Sequence, residues 1–327
     1  MALLCTILSS LPSSLSVGAT EQYSKAECVM ETGSRRILYE EHGDVRLPMA
    51  STTKIVTAIT AIENMGNLDK TVTVPDIAAG IEGSSVYLKA GDTLSVRDLL
   101  YGLMLRSGND CAVALALDCA GDLGRFSALM NATAQKAGAL NSRFRNPHGL
   151  PKDEHYTTAT DLCHITSYAL QNETFREIVS TRYYEPKNWK NKNKLLFSYD
   201  GANGVKTGYT KQAGRCLVTS ATRNGMSLVC TVFNCPTMYE RTTTLLDDAF
   251  SYYQNVTLVE SGQVFSISEN LKGKAMETVV FPLREEEREY TEIVVKACQD
   301  KTRKEIVGQF QIFVLKRLLF SGNLYKL

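Results

Sequence analysis

The spacing of hydrophobic positions changes along this chain and divides it into two parts. From Thr53 to Met65, apolar residues recur every three or four positions and also fill the flanks of that stripe. This pattern predicts a helix that is buried on nearly all sides. The same spacing predicts further helices at 94–106, 110–120, 123–139, 160–171 and 239–254.

Strands are predicted where β-branched and apolar residues gather in short runs between turn signals. Five such runs lie in the first part of the chain, at 27–31, 36–40, 204–210, 216–222 and 226–233. The sequence Arg223-Asn224-Gly225 joins the last two runs and is typical of a hairpin turn. The polar stretch 185–204, which contains the only tryptophan, Trp189, predicts an exposed excursion.

Helical periodicity is absent after about Asn255, which marks the second part of the chain. Short alternating or β-rich runs begin there at Gln263, Thr278, Glu292 and Gln309. The tail from Leu315 to Leu327 fits a last strand better than the start of an amphipathic anchor, because Gly322 and Asn323 interrupt any helix. We therefore predict an α+β fold, in which an antiparallel sheet packed with helices spans 21–255 and a small all-β domain spans 256–327.

The first 20 residues have the character of an export signal. They carry no charged side chain, and Val17-Gly18-Ala19 resembles a small-residue cleavage site. We predict a secretory signal peptide over 1–20, which would place the mature protein outside the cytoplasm. Because no Lys or Arg precedes the apolar run, a start further upstream, a truncated anchor and a buried N-terminal strand remain alternatives.

Composition excludes several classes of function. The net charge of +1 gives no basic face for a nucleic acid. The nine cysteines form no C-x-x-C pair, which argues against a zinc ribbon or a thioredoxin motif, and buried free thiols are favoured for most of them. An exported protein could still oxidise some of these thiols. The four histidines form no His-Glu-x-x-His motif, so no metal or other cofactor is expected.

Three short motifs carry the candidate chemistry. Ser51-Thr52-Thr53-Lys54 opens the first helix, Ser107-Gly108-Asn109 lies in a turn between two predicted helices, and Lys206-Thr207-Gly208 lies on a predicted strand. Each motif alone is more often a cap, a turn or a loop-to-strand junction. Together and in this order they are typical of serine enzymes that acylate themselves.

The residue types in these motifs fit nucleophilic catalysis. The N–H groups at a helix start favour negative charge, so an oxyanion formed by attack of Ser51 would be stabilised there. Lys54 lies one turn further on the same face and reaches the Ser51 hydroxyl, but it acts as a base only when neutral. Burial and a second cation, Lys206, would lower its pKa. Ser107 could pass a proton to a leaving amine, and Asn109 could orient Lys54 or the substrate.

Beyond these motifs, about residues 24–255 resemble the serine-type D-alanyl-D-alanine carboxypeptidases, which are low-molecular-mass penicillin-binding proteins. The matching segments are 47–55, 83–88, 105–110, 146–150 and 204–210. The resemblance implies a fold of the penicillin-binding and β-lactamase type, with a β-rich second domain that matches more loosely. It also implies that the substrate is the D-Ala-D-Ala end of a peptidoglycan stem peptide and that β-lactams are covalent inhibitors.

The resemblance also implies roles for individual residues. Ser51 would be the acylated nucleophile, Lys54 its base, and Ser107 with Asn109 would complete the proton relay. Lys206, Thr207 and Gly208 would line the substrate strand, and the backbone N–H of Tyr209 would be the second oxyanion donor. Arg241 could contact the substrate carboxylate, although a surface charge at a helix start explains it equally well. His148 stays outside the predicted catalytic set, and the family's terminal membrane-binding helix is not evident.

Three rival functions share some of these features. A class A β-lactamase needs a carboxylate base, and Glu154 lies in a plausible loop, but the Glu-x-x-Leu-Asn pattern is missing. A zinc D-Ala-D-Ala peptidase lacks its ligands. A sensor of β-lactams or wall peptides on the same fold would need no turnover, but the intact motifs favour an enzyme. The balance between carboxypeptidase and endopeptidase activity, and membrane attachment, stay open.

Overall fold

The computed structural model describes residues 24–298 and 305–327. The predicted signal peptide over 1–20 lies outside these residues. The described chain forms a domain of helices packed on a sheet, followed by a separate all-β domain, which confirms the predicted fold class. Within the described ranges, no helix has both the length and the apolar character needed to cross a membrane.

The N-terminal domain is built on a five-stranded antiparallel sheet. The described strands of the whole domain are β1 (Ala26–Glu31), β2 (Ile37–Glu41), β3 (Thr71–Thr73), β4 (Thr93–Ser95), β5 (Tyr183–Tyr184), β6 (Trp189–Lys190), β7 (Ala202–Thr210), β8 (Gly214–Arg223) and β9 (Met226–Phe233). Five of them form the main sheet, in the order β2-β1-β9-β8-β7. The other four form two separate pairs, β3 with β4 and β5 with β6. Strand β7 therefore lies at an edge and has backbone groups available for a ligand.

Helices cover both faces of this sheet. They are α1 (Lys54–Met65), α2 (Val96–Leu105), α3 (Asn109–Ala120), α4 (Leu123–Lys136), α5 (Ala159–Ala169), α6 (Glu173–Ser180), α7 (Leu195–Ser198) and α8 (Met238–Tyr252). Because side chains alternate along a strand, Cys28 and Met30 of β1 pack into the larger core around α1, α3 and α5. Val29 between them packs into the smaller core under α8.

Most predicted elements of this domain are confirmed, and the exceptions involve polar segments. Helix α6 and the hairpin of β3 and β4 were not predicted, because both are short. The stretch 185–204 is only partly the exposed excursion that its polarity predicts. Asn191 and Asn193 are buried within it, and the Asn193 side chain donates a hydrogen bond of 2.9 Å to the carbonyl oxygen of Gly204. Buried amides are stable where the backbone satisfies them.

The cysteines match their predicted state within the described residues. Eight thiols are free there; six are buried, while Cys119 and Cys298 are partly exposed. Cys111 and Cys119 both lie on α3, but only Cys111 is fully in the core. Cys5 lies outside the described residues.

The C-terminal domain contains seven strands and one short helix. They are β10 (Gln254–Val259), β11 (Val264–Ser268), β12 (Leu271–Ala275), β13 (Val279–Leu283), α9 (Glu285–Arg288), β14 (Thr291–Ala297), β15 (Ile306–Val314) and β16 (Arg317–Lys326). Five of the strands form a sheet in the order β11-β12-β16-β15-β14, and β10 pairs with β13. The predicted last strand is confirmed as β16. The core is small and centres on Phe310, which stacks on Phe265 with ring centroids 5.7 Å apart.

One arginine joins the two domains. Arg36, just before β2, donates hydrogen bonds of 2.6 Å to the carbonyl oxygen of Pro282 and of 3.0 Å to Oε2 of Glu287. Its guanidinium also lies 5.2 Å from the ring centroid of Tyr253 and 5.6 Å from that of Phe281. This contact fixes the C-terminal domain against the β1–β2 hairpin.

Candidate active site

Ser51 lies on a tight turn that leads directly into α1. The turn is a 3-10 helix, Ala50–Thr53, and the Thr52 hydroxyl donates a hydrogen bond of 2.6 Å to the carbonyl oxygen of Met49. The loop at Gly149 packs directly on this turn, because a Cβ atom added at Gly149 would lie 1.9 Å from the carbonyl oxygen of Ala50. Ser51 is thus held at a helix start, where backbone N–H groups favour a developing oxyanion.

Lys54 is fully buried, and its amine has three polar neighbours. Nζ lies 3.0 Å from Oγ of Ser51, 2.6 Å from Oδ1 of Asn109 and 2.7 Å from the carbonyl oxygen of His148. Burial, and secondly the charge of Lys206, hold the pKa of Lys54 well below its usual value. Both the amide oxygen and the carbonyl oxygen can only accept hydrogen bonds. The two N–H groups of a neutral amine satisfy them and leave its lone pair for the Ser51 hydroxyl.

Ser107 and Asn109 occupy the junction between α2 and α3. Ser107 has a φ of 65°, a conformation that non-glycine residues rarely adopt, and its side chain lines the cleft in front of Ser51. The buried Asn109 amide accepts from Lys54 and donates a hydrogen bond of 2.6 Å to the carbonyl oxygen of Glu82. The strained turn therefore brings a hydroxyl and an amide to the same site.

The neighbouring carboxylate, Asp110, fixes the loop over this site. It is fully buried and accepts hydrogen bonds of 3.0 Å and 3.1 Å from the backbone N–H groups of Val86 and Leu88. It also accepts one of 2.5 Å from the Ser85 hydroxyl. The segment 83–88, which the resemblance includes, is thereby held against the Ser107 turn.

The third motif lies on the edge strand β7. Lys206 is buried and donates a hydrogen bond of 2.8 Å to the carbonyl oxygen of Thr207. Burial, and secondly the charge of Lys192, lower the pKa of Lys206 to about 7. A Cβ atom added at Gly208 would lie 3.1 Å from the backbone nitrogen of Ser51, so a side chain here would crowd the nucleophile turn, and the glycine suits this close approach of the strand.

These three motifs meet in one cleft of about 500 Å³. Its lining residues are Ser51, Ser84, Ser107, Lys192, Thr207, Gly208, Tyr209, Arg215, Met238 and Tyr239. The side chain of Tyr209 is exposed at its edge. The structure thus brings six other predicted site residues together around Ser51, and Tyr209 lies at the edge of the same cleft. The six are Lys54, Ser107, Asn109, Lys206, Thr207 and Gly208.

Sequence reasoning missed several residues of this cleft. Lys192 reaches its rim, and its Nζ lies 3.4 Å from Oγ of Ser84. Loss of hydration, and secondly the charge of Arg106, lower the pKa of Lys192. The signal for Ser84 was present in the segment 83–88, but nothing in the polar stretch 185–204 shows that Lys192 folds over the site. Arg215 of β8 lies opposite Tyr209 in the sheet register.

Arg241 is not among the residues that line the cleft, and its predicted contact with the substrate carboxylate stays a prediction. Its guanidinium forms hydrogen bonds to the carboxylate of Glu27, 2.9 Å from Nε to Oε1 and 2.6 Å from Nη2 to Oε2. It also donates to the Tyr39 hydroxyl at 3.2 Å. A buried carboxylate on β1 captures this arginine, and the sequence separation of 214 residues concealed the partner.

The histidines near the site support its walls. His148 contributes its backbone carbonyl to Lys54, while burial lowers the pKa of its ring to about 3. Nδ1 of His155 accepts a hydrogen bond of 2.9 Å from the backbone N–H of Arg145, and Nε2 lies 3.0 Å from Oγ1 of Thr53. Both rings are therefore neutral at ordinary pH and position the loop against α1.

Glu154, the carboxylate that a β-lactamase would need, faces away from this chemistry. Its Oε1 lies 2.7 Å from Nη1 of Arg143, its side chain is half exposed, and it does not line the Ser51 cleft. A carboxylate outside the Ser51 cleft is not placed to activate water at an acyl-serine.

Comparisons with known proteins agree with this geometry. Residues 14–237 match the family described as D-alanyl-D-alanine carboxypeptidase. The chain is 32% identical over 265 residues to D-alanyl-D-alanine carboxypeptidase DacF of Bacillus subtilis, covering 77% of this chain and 68% of the relative. It is 39% identical over 227 residues to D-alanyl-D-alanine carboxypeptidase of Streptomyces sp. K15, covering 62% of this chain and 78% of the relative. The crystal structure of penicillin binding protein 5 from Haemophilus influenzae superposes with a TM-score of 0.81 at 26% identity, covering 95% of this chain and 98% of that one.

Proposed function

The chain belongs to the family of serine D-alanyl-D-alanine carboxypeptidases, and from this premise we propose that it removes the terminal D-Ala of peptidoglycan stem peptides through an acyl-enzyme on Ser51. The observation that carries the proposal is the environment of the Lys54 amine. Two acceptor-only oxygens occupy its N–H groups, and the Ser51 hydroxyl is the neighbour that can donate to it. That arrangement suits a neutral amine acting as general base.

The first step is acylation. Lys54 takes the proton of the Ser51 hydroxyl, and Oγ attacks the carbonyl carbon of the penultimate D-Ala. The negative charge that develops on the carbonyl oxygen is stabilised by the backbone N–H groups of Ser51 and Tyr209, on either side of the close approach at Gly208. Removing one such donor from an acyl-transfer enzyme slows it about 100- to 1,000-fold.

The second step expels D-Ala. Ser107 lies in the same cleft as Ser51 and relays the proton from Lys54 to the leaving amine, so the peptide nitrogen departs as a neutral amine. Water then attacks the ester with Lys54 again as base, which releases the shortened peptide and restores Ser51.

The substrate carboxylate is held by the cationic side of the cleft. Lys206 and the Thr207 hydroxyl face the position of a terminal carboxylate on the edge strand, and Asn109 orients the peptide from the opposite wall. Lys192 and Arg215 add positive charge at the rim of the same cleft. Arg241 is paired with Glu27 in this structure, so we propose Lys192 and Arg215 as further cationic contacts for the substrate carboxylate.

The same site supports two further parts of the proposal, inhibition by β-lactams and an enzyme that acts outside the cytoplasm. A β-lactam carries a strained amide and a carboxylate in the places of the D-Ala-D-Ala bond and terminus, so it would acylate Ser51 and deacylate slowly. Since the substrate is cell-wall peptide, the enzyme would act on the outer side of the cytoplasmic membrane. Membrane attachment is not part of the proposal.

A labelled penicillin tests the nucleophile, and release of free D-Ala tests the turnover. We expect a covalent label on the wild-type protein, no label on Ser51→Ala, and D-Ala release from a peptide ending in D-Ala-D-Ala by the wild type alone. Label on Ser51→Ala, or none on correctly folded wild type, would overturn the acyl-enzyme. A label without D-Ala release would instead favour the sensor function.

A further inference from the structure

The polar segment before β7 places a concentration of positive charge beside the active-site cleft. Residues 182–199 contain five basic side chains and one acidic side chain, Glu185. The net charge of the whole chain is only +1, so this concentration is local. We define the basic rim as four cations that lie next to the cleft but outside its lining. They are Arg182, Lys190 and Lys194, which are exposed, and Arg106, which is partly exposed.

Hydrogen bonds to buried asparagines hold the backbone of this rim in place. Asn191 is buried, and its Nδ2 donates a hydrogen bond of 3.0 Å to the carbonyl oxygen of Thr181. Its Oδ1 accepts one of 2.9 Å from the backbone N–H of Asn193. From the end of α2, Nη1 of Arg106 donates a hydrogen bond of 3.1 Å to the carbonyl oxygen of Lys190. The rim is therefore built on a backbone that its own side chains fix.

Aromatic rings orient three of the four cations. The Phe197 ring is half exposed, and the Arg182 guanidinium and the Lys190 amine lie 5.9 Å and 4.8 Å from its centroid. The Lys194 amine lies 5.6 Å from the ring centroid of Tyr239, which lines the cleft. A ring attracts and positions a cation but leaves its charge uncancelled.

Carboxylates do not neutralise the rim. None of its four side chains forms an ion pair with an acidic residue in 24–298 or 305–327. By contrast, Arg223 lies 4.4 Å from the ring centroid of Tyr199 and also pairs with Asp247, with 3.0 Å between Nη1 and Oδ1. Positioned cations that lack a carboxylate suit an anionic partner.

The location of the rim limits the form of that partner. Lys194 lies on the ring of Tyr239, and Lys192, between Lys190 and Lys194, lines the cleft, so the rim borders the mouth of the cleft. A membrane resting on the rim would cover this mouth, whereas a single polymer chain would leave it open.

The charges of the rim limit the chemistry of the chain. Because basic residues outnumber acidic ones five to one in 182–199, the rim fits a chain that carries mainly negative charge. A phosphodiester chain has this character at ordinary pH, and its free oxygens accept hydrogen bonds from guanidinium and ammonium groups.

We propose that the basic rim binds a linear phosphodiester polymer of the cell wall, which holds the enzyme at the wall while its cleft stays open to stem peptides. Arg182 and Lys190, on the same ring, would contact one phosphate, and Lys194 would contact another. The source of the polymer rests on the proposed function, whereas the binding itself does not involve Ser51.

Binding of a fluorescent poly(glycerol phosphate) chain, followed by anisotropy at several salt concentrations, tests the proposal. The triple variant Arg182→Gln, Lys190→Gln, Lys194→Gln should bind about tenfold more weakly at low salt, as the loss of three exposed ion pairs predicts. Its plot of log affinity against log salt should be shallower by about 2, since each phosphate contact of a single strand contributes about 0.7. Phe197→Leu keeps the charges but removes the ring, and should weaken binding about threefold.

A matched control removes three exposed cations away from the rim, through Lys25→Gln, Lys272→Gln and Arg317→Gln, and should bind like the wild type. Equal weakening in this control would assign the binding to net charge and overturn the rim. Penicillin labelling reports whether the active site of each variant is folded. Ser51→Ala should also bind like the wild type, so failure of this proposal leaves the carboxypeptidase intact. A wild type that binds the polymer but shows neither label nor D-Ala release would overturn the proposed function alone.

Three further probes test the class of partner. They are polyglutamate and single-stranded DNA of the same charge as the polymer, and vesicles of phosphatidylglycerol. We expect each to bind the wild type more weakly than poly(glycerol phosphate) does. Tighter binding of one of them would overturn the assignment in favour of a carboxylate polymer, a nucleic acid or a membrane. Absence of polymer binding by the folded wild type would overturn the proposal outright.

Discussion

The two domains differ in the charged side chains that they bury. The N-terminal domain encloses Lys54, Lys206 and Asp110 within a core that extends over both faces of a five-stranded sheet. In the described part of the C-terminal domain, the one buried charged side chain is Glu287, at the contact with Arg36. Burying an unpaired amine costs several kcal/mol unless it loses its proton. A large core tolerates that cost, whereas a domain with few buried side chains does not.

The largest expected effect, on the rate of acylation, comes from replacing the Lys54 amine. Lys54→Met should slow acylation of Ser51 by penicillin about 1,000-fold, because a general base contributes about 100- to 10,000-fold. Lys54→Arg should be as slow, since a guanidinium keeps its proton. The time course of labelling measures both. Fast labelling of the arginine variant would show that charge at this position, rather than a neutral base, is what the site needs.

The second prediction tests whether the small domain is energetically separate. Phe310→Ala should lower the free energy of unfolding of the C-terminal domain by about 3 to 5 kcal/mol, because it empties the centre of a small core. The only tryptophan, Trp189, lies in the N-terminal domain, so its fluorescence reports that domain alone. Circular dichroism should show the early loss of β structure while the tryptophan transition is unchanged. Val264→Ala on an exposed strand position is the control. A shift of both transitions would mean one cooperative unit.

The third prediction concerns the contact that Arg36 makes between the two domains. Arg36→Met should lower the stability of the C-terminal domain by about 2 kcal/mol, because Glu287 and the Pro282 carbonyl lose a charged donor. Penicillin labelling should stay at the wild-type rate, because the contact does not touch the cleft. Arg317→Met, at an exposed position of β16, removes the same charge without a buried partner and should leave the domain unchanged. Slower labelling in the first variant alone would show that the small domain acts on the site.

The smallest effect is a pH dependence. The pKa of Lys206 is lowered to about 7 by burial and by Lys192, so its charge is present below that pH and is lost above it. In the free enzyme, attraction of the substrate carboxylate should weaken as pH rises through 7, by at most about tenfold per pH unit. On the acid side, kcat/KM should fall as Lys54 gains a proton. Lys206→Arg keeps its charge and should lose the alkaline fall. An alkaline fall retained in that variant would assign it to another group.

The same lowered pKa affects stability in a definite direction. Between pH 7 and the usual lysine pKa near ~10.4, the unfolded chain binds a proton at residue 206 that the native chain does not. This contribution therefore destabilises the native state increasingly as pH falls through that window, and it is constant below pH 7. No stabilising role should be assigned to the buried amine.

Sequence alone predicted the parts of the site that depend on short, ordered motifs. Ser51, Lys54, Ser107, Asn109 and the Lys206–Gly208 strand meet because each motif encodes its own local geometry, as a helix start, a turn or a strand. The sequence did not predict contacts between side chains that are distant along the chain. Nothing near Arg241 indicates Glu27, and nothing near Lys192 indicates Ser84. The helices and the main strands followed from periodicity, whereas short elements such as α6 lack the length for a periodic signal.

The contact at Gly149 also has a mechanical consequence. Because no carbon atom fits between Gly149 and the Ala50 carbonyl oxygen, the loop cannot come closer to the nucleophile turn without displacing it. The loop also supplies the His148 carbonyl oxygen to the Lys54 amine. A substitution at Gly149 would therefore disturb the nucleophile and its base together, although neither side chain is changed.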